Sequence, residues 1–187
     1  MKRTLLASSF LLLGSAQALT LSGSVAGEAP AKARVGAWLI DAAGRPVAEV
    51  ASAPISANAF SLSIPDTAPS GRALWGLTSD SIAWPGVTGE VNVSGSVQGS
   101  EARLFVYGDA NGNTRRDEGE ELIEGSARLG KASVALVFAS RPVNVSAARG
   151  LSVALTLGWN VVSIELGKTL KAGVQSGASG LQLSIAR

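Results

Sequence analysis

LSVALTLGWNVVSIEL, residues Leu151–Leu166, places apolar side chains at Leu151, Val153, Leu155 and Leu157 and again at Val162, Ile164 and Leu166. A period of two sends alternate side chains to opposite faces of an extended chain, so the stretch predicts two strands, each burying one face. Trp159, directly before Asn160, marks the turn between them.

The same alternation recurs outward in both directions. It is present at Leu21-Gly23-Val25, Val35-Ala37-Leu39, Phe60-Leu62-Ile64, Val91-Val93, Leu104-Val106, Val134-Leu136-Phe138 and Leu181-Leu183-Ile185. Turn-forming clusters separate these runs, among them DAAGRP at Asp41–Pro46, PDTAPSG at Pro65–Gly71 and DANGN at Asp109–Asn113. The expected class is therefore all-β, with antiparallel sheets packed as a β-sandwich. The segment DEGEELIEGSARLG from Asp117 is broken by glycine and acidic at its front, so it predicts at most one helical turn.

An internal echo bears on domain organisation. LSGSVAG at Leu21–Gly27 returns as VSGSVQG at Val93–Gly99, and each copy is followed by an Ala-Arg-apolar strand, ARVGAWLID from Ala33 and ARLFVYGD from Ala102. The echo predicts two tandem small β-domains, residues 19–89 and 90–187, with a boundary near Gly89-Glu90.

The amino terminus, MKRTLLASSFLLLGSAQALT, has a short basic region at Lys2-Arg3 and an apolar core over Leu5–Gly14. Ala16-Gln17-Ala18 then supplies a small-x-small cleavage pattern, so residues 1–18 are expected to be a signal peptide. Export to the periplasm, the outer surface or the medium follows, with no transmembrane segment after cleavage. Without Lys2 and Arg3 the formal charge of +2 falls to zero, which argues against nucleic acid as a partner. The chain has neither cysteine nor histidine. That removes disulfides, Ser-His-Asp and Cys-His nucleophiles, histidine zinc sites and thiol redox chemistry.

The chemically distinctive segment starts at Asp109. Oxygen-bearing side chains stand at relative positions 1, 3, 5, 9 and 12: Asp109, Asn111, Asn113, Asp117 and Glu120. Arg115 occupies position 7, where a backbone carbonyl serves. Calcium takes six to eight oxygens from a flexible loop, and this spacing can curl such a set around one ion, with Glu120 as the two-oxygen ligand. Six of the protein's 14 acids, from Asp109 to Glu124, fall within 16 residues, and a divalent cation would relieve their repulsion. Thr114 stands where such loops place glycine for a sharp bend, and this predicts a costly backbone there. A solvated polar turn held by Asx-turns is the alternative.

The run FVYGDANGNTRRDEGEELIEG, Phe105–Gly125, resembles the calcium-bearing D-x-N-x-N-G-x-x-D-x-G-E segment of repeated β-sandwich modules in bacterial surface adhesins. Related transthyretin-like and carboxypeptidase-regulatory-like secreted domains carry it too. The resemblance implies a cation-binding loop between strands, formed by Asp109, Asn111, Asn113, Asp117 and Glu120, in a rigid stalk or interaction module and not a catalyst.

Two other classes compete with this reading. A glycoside hydrolase needs two carboxylates about one bond, and Asp117 or Glu120 with Glu165 are the candidates. A carbohydrate- or protein-binding module would use exposed indoles. Trp38 and Trp159 fit core or turn packing, while Trp75 and Trp84 flank a less periodic segment and are the better ligand-binding candidates. The leading expectation is an exported, non-enzymatic structural or interaction protein with a calcium-stabilised loop, its partner a cell-envelope protein or a glycan.

Overall fold

The computed structural model describes residues 18–186. The expected signal peptide lies outside the described residues except for Ala18. Strand accounts for about 57% of the structure and helix for 5%, the latter in three-residue 3-10 turns, so the chain is all-β. Among the described residues no helix is long and apolar enough to cross a membrane.

Fourteen strands run in chain order: β1 Leu19–Ala26, β2 Ala33–Ile40, β3 Pro46–Pro54, β4 Ala59–Ile64, β5 Trp75–Gly76, β6 Val91–Val93 and β7 Gln98–Gly108. They continue with β8 Ile123–Leu129, β9 Ala132–Ala139, β10 Val143–Ala147, β11 Leu151–Leu155, β12 Gly158–Glu165, β13 Lys171–Gln175 and β14 Gly177–Ile185. The larger sheet has the order β13-β12-β9-β7-β8-β14-β1-β4, with β2, β3 and β5 branching from it, and β11-β10-β6 form a second sheet. Pairing is antiparallel except between β1 and β14, which run parallel.

Strand β7 is the hub. One edge pairs with β9 over Gly99–Ala102 and with β8 at Phe105–Val106, while the other pairs with β5 and then with β2 up to Gly108. It passes directly into Asp109, so the most constrained strand of the sheet sets the root of the acidic loop.

Two apolar cores flank this framework. The first gathers Leu21, Val35, Leu62, Val106, Leu181 and Leu183, and the second Val145, Leu151, Leu155, Val162 and Ile164. Strands β9 and β12 form the wall between them. Leu136, Phe138 and Val161 face the first core, whereas Val137, Val162 and Ile164 face the second. A strand covered on both faces becomes a continuous apolar run, which explains the unbroken "VALVF" of β9.

The expected division into 19–89 and 90–187 does not follow the strand pairing. Strands β1 and β2 from the first segment are hydrogen-bonded to β14 and β7 from the second, and both segments contribute to both cores. The echo has a different structural meaning. Its two Ala-Arg strands lie in β2 and β7 and pair with each other, Ala37 opposite Leu104. Leu21–Ala26 lies within β1, but Val93–Val97 is the end of β6 and the turn into β7, so the Ser-Gly-Ser segments are not equivalent.

Candidate metal centre

The loop between β7 and β8 is organised by its own side chains. Asp109 is only 4% exposed, and its Oδ2 accepts the Thr114 backbone N–H at 3.0 Å. Asn111 Oδ1 accepts the Asn113 N–H at 3.0 Å, and Asn113 Oδ1 accepts the Arg115 N–H at 2.9 Å. Successive Asx side chains thus satisfy the backbone donors of a tight curl that no sheet ladder reaches. The amides of Asn111 and Asn113 both donate to Asp117 Oδ2, at 2.7 and 2.8 Å. Glu120 closes the ring, accepting the Ala110 N–H on Oε1 and the Asp117 N–H on Oε2, each at 2.9 Å.

All five oxygen-bearing residues singled out by spacing therefore belong to one hydrogen-bonded cluster. Among the described residues no three carboxylates stand together as a ready ligand group, so a cation here would need the two asparagine amides or backbone carbonyls as well. The buried Asp109 Oδ1 has no hydrogen-bond partner. A carboxylate oxygen taken from water without compensation is costly, and a hard cation is the chemistry that would compensate it.

Thr114 adopts φ +66°, the left-handed bend that position 6 demands, without the glycine that makes it cheap. An L-residue there costs roughly 1–2 kcal/mol, against about 0.5–1 kcal/mol of extra chain entropy for glycine. Thr114 is exposed, so its side chain contributes little packing. Thr114→Gly is therefore expected to stabilise the protein by up to about 1 kcal/mol, measured as a higher urea midpoint. A lower midpoint would contradict the strain.

Contacts with β2, β3 and the residue before β2 fasten the loop, and nothing in the sequence pattern points to them. Lys32 Nζ donates to Ala110 O at 2.8 Å, Ser52 Oγ donates to Thr114 O at 3.2 Å, and Arg34 NH1 lies 4.0 Å from Asp109 Oδ2. Arg34 also donates to Ser52 Oγ, and the fully buried Tyr107 donates its hydroxyl to Glu49 Oε1 at 2.9 Å. Burial pushes the Glu49 carboxyl up, an effect opposed by the Tyr107 hydrogen bond and by Arg34. Nothing local marks these residues. Only the β2–β7 register, which sets Arg34 opposite Tyr107, brings them to the loop.

The other expected residues separate. Trp84 is 3% exposed and sits in the second core, so it presents no ligand-binding face; this corrects its expected exposure. Trp75 is half-buried on β5 and lines a surface hollow of about 500 Å³. Trp159 is buried with its ring edge-on to Phe138 at 5.6 Å. Glu165 ends β12, a strand that β9 separates from β7 in the sheet, while Asp117 and Glu120 are engaged in the loop.

A second mostly buried carboxylate, Glu101 on β7, is pushed up chiefly by burial, with Arg103 opposing. A carboxyl raised in the folded state binds more protons there than in the unfolded chain. Its contribution is fully present below the ordinary carboxylate range and is lost as pH rises through the raised folded value. The stability of Glu101→Gln minus that of the wild type should therefore grow as pH rises above this range, read from urea midpoints at several pH values. A difference that shrinks over that range would contradict the assignment.

No protein-family model, curated protein or solved structure matches the chain.

Proposed function

We propose that this chain is an exported, non-enzymatic structural or interaction protein in which the β7–β8 loop binds one calcium ion and stiffens the junction of β7 and β8 with β2 and β3. The observation that carries the reading is the buried, unpartnered Asp109 Oδ1 at the first position of a loop whose other candidate ligands belong to one hydrogen-bonded cluster, their oxygens accepting N–H groups that an ion would replace. The donor set is all oxygen and mixes carboxylates with neutral amides, which suits a hard cation of flexible geometry. Asp109, Asn111, Asn113, Asp117 and Glu120 supply side chains, and Arg115 supplies its carbonyl.

The effect on the molecule is linkage. An ion held only by the ordered loop stabilises the native state by RT ln(1 + [Ca]/Kd), about 2.7 kcal/mol at a hundredfold excess over Kd. Because Lys32, Ser52 and Arg34 tie the loop to the β2–β3 hairpin, that stabilisation reaches the hub strand. A calcium-stiffened all-β body suits an envelope spacer or interaction module, with an envelope protein or a glycan as partner.

Thermal unfolding in excess chelator and then across a calcium titration tests the reading. The wild-type midpoint should rise with calcium, and that of Asp109→Ala should not. A midpoint indifferent to calcium in the wild type would overturn it, as would a rise of equal size in the variant.

A further inference from the structure

Away from the loop, β7 carries a second polar constellation that the calcium reading does not use. Glu101 and Arg103 both line the 500 Å³ hollow bounded by Trp75 and by the Asp41–Gly44 turn. The same two residues line an adjoining hollow of about 310 Å³ that reaches Glu124 and Arg128 on β8. The two hollows lie side by side over β7 as a divided groove, sharing Ala83, Glu101 and Arg103 in their walls.

Arg103 is held from two sides. Its Nε lies 3.5 Å from Glu101 Oε1, and its NH1 donates to Glu124 Oε1 at 3.1 Å. The guanidinium passes over the Cα of Gly44, where an added Cβ would stand 3.5 Å from NH2. That turn is itself fixed: Asp41 Oδ1 accepts the N–H groups of Ala43 and Arg45 at 2.9 and 3.0 Å, and Arg45 Nε donates to Asp41 Oδ2 at 2.9 Å. Trp75 is held by β5 pairing to Gly99 of β7. The walls therefore stand on strands and a braced turn, which gives preorganisation that a mobile loop cannot.

We propose that this groove is a binding site for a neutral carbohydrate, with Trp75 as the apolar platform and Glu101, Arg103 and Glu124 as the polar contacts. The charge pattern selects the ligand class. Glu101, Arg103 and Glu124 at the centre are already linked to one another, so a charged ligand placed among them would compete with those contacts. A hydroxyl donates and accepts at once. Vicinal hydroxyls can accept from the guanidinium and donate to a carboxylate while both pairs stay intact. The side chains of Arg103 and Glu124 are 32% and 53% exposed, so a ligand reaches them from solvent. The side chain of Glu101 is 14% exposed with Arg103 Nε 3.5 Å from its Oε1, and a sugar hydroxyl would donate to the carboxylate lone pairs that Arg103 leaves open. A hollow of this size holds one or two sugar rings, and the flat indole supplies the apolar surface on which a ring face packs. The proposal stands apart from the calcium reading, since no residue of the groove belongs to the loop cluster.

The test is a titration of the ¹⁵N-labelled protein with maltotriose, cellotriose, mannotriose and tri-N-acetylchitotriose, following the indole N–H resonances of its four tryptophans. The Trp75 signal is assigned from Trp75→Phe. At least one trisaccharide should shift the Trp75 resonance in a saturable way at about millimolar concentration, leaving buried Trp84 in place. Glu101→Gln and Arg103→Ala, each with a wild-type spectrum elsewhere, should weaken that binding at least about tenfold. Absence of a saturable Trp75 shift with all four sugars would overturn the proposal without any variant having to fold. Unchanged affinity in Arg103→Ala would overturn it too.

Discussion

Gly23→Ala is expected to destabilise the protein by about 3 kcal/mol or more, enough to prevent folding if the parent is marginally stable. Gly23 lies in β1 opposite Leu181 of β14, at a break in the parallel register between Leu21 and Gly23. An added Cβ would overlap the Leu181 carbonyl oxygen and stand 2.7 and 2.8 Å from its carbonyl carbon and Cβ. Neither strand can retreat. The far edge of β1 is paired with β4, Gly23 opposite Phe60, and the far edge of β14 is paired with β8. The strain would therefore fall on the pairing that closes the amino-terminal strand onto the carboxy-terminal one. Gly76→Ala is the control, because a Cβ there meets only Thr78 Cγ2 at 3.8 Å. It should change stability by less than about 0.5 kcal/mol. Urea unfolding of the two variants beside the parent checks the pair, and a Gly23→Ala protein of parental stability would contradict the close approach of β1 to β14.

Glu120→Ala should remove two separable increments of stability. The first needs no metal. Both carboxylate oxygens accept backbone N–H groups, from Ala110 and Asp117, and these bonds pull the two ends of the loop together. Hydrogen bonds to a charged acceptor contribute roughly 1.5–3 kcal/mol each in favourable settings. Glu120 is half-buried, so a total loss of about 2 kcal/mol in chelator is the expected scale after solvent replaces part of what is lost. The second increment is the calcium response itself, about 2.7–4.1 kcal/mol at a hundredfold to thousandfold excess over Kd, which the variant should lack. Glu120→Gln separates the two, because its single amide oxygen keeps one backbone bond while the second anionic oxygen is gone. It should retain part of the stability in chelator and lose most of the calcium response. Denaturant unfolding of all three proteins with and without calcium measures both increments, and a full calcium response in Glu120→Ala would contradict its role as a ligand.

How far the sequence foretold this arrangement depended on which faces the strands bury. Strands with one covered face were legible: β4 alternates buried and exposed through Phe60, Leu62 and Ile64, as does β14 through Leu181, Leu183 and Ile185. Strands with two covered faces were not. In β12 five consecutive residues from Gly158 are buried because the strand divides two cores, and a period of two captured only Val162 and Ile164. The alternation also runs past each strand's end, with Leu157 two residues beyond β11 and Leu166 one beyond β12. Leu157 and Leu166 are 66% and 52% exposed, since β11 stops at Leu155 and Gly158 restarts the chain at φ +90°.

The loop residues were legible for a different reason. Their side chains bond backbone N–H groups only two to five residues on, so the folding of Asp109, Asn111 and Asn113 onto the backbone is local to the segment. The supporting contacts were hidden because Lys32, Arg34 and Ser52 reach the loop only through pairing of β2 with β3 and β7. The same distance hid the groove. Glu101 and Arg103 read as ordinary strand charges until β5, β8 and the Asp41 turn are folded about them.

Equilibrium dialysis of chelator-stripped protein against radioactive calcium counts bound ions directly and so tests the central claim without relying on heat or on unfolding. The wild type should bind one calcium ion per chain and Asp109→Ala none, with both proteins folded as judged by circular dichroism. Wild-type protein that carries no calcium at millimolar free ion, or an Asp109→Ala protein that binds as much as the parent, would contradict the account and leave the β7–β8 loop a polar turn.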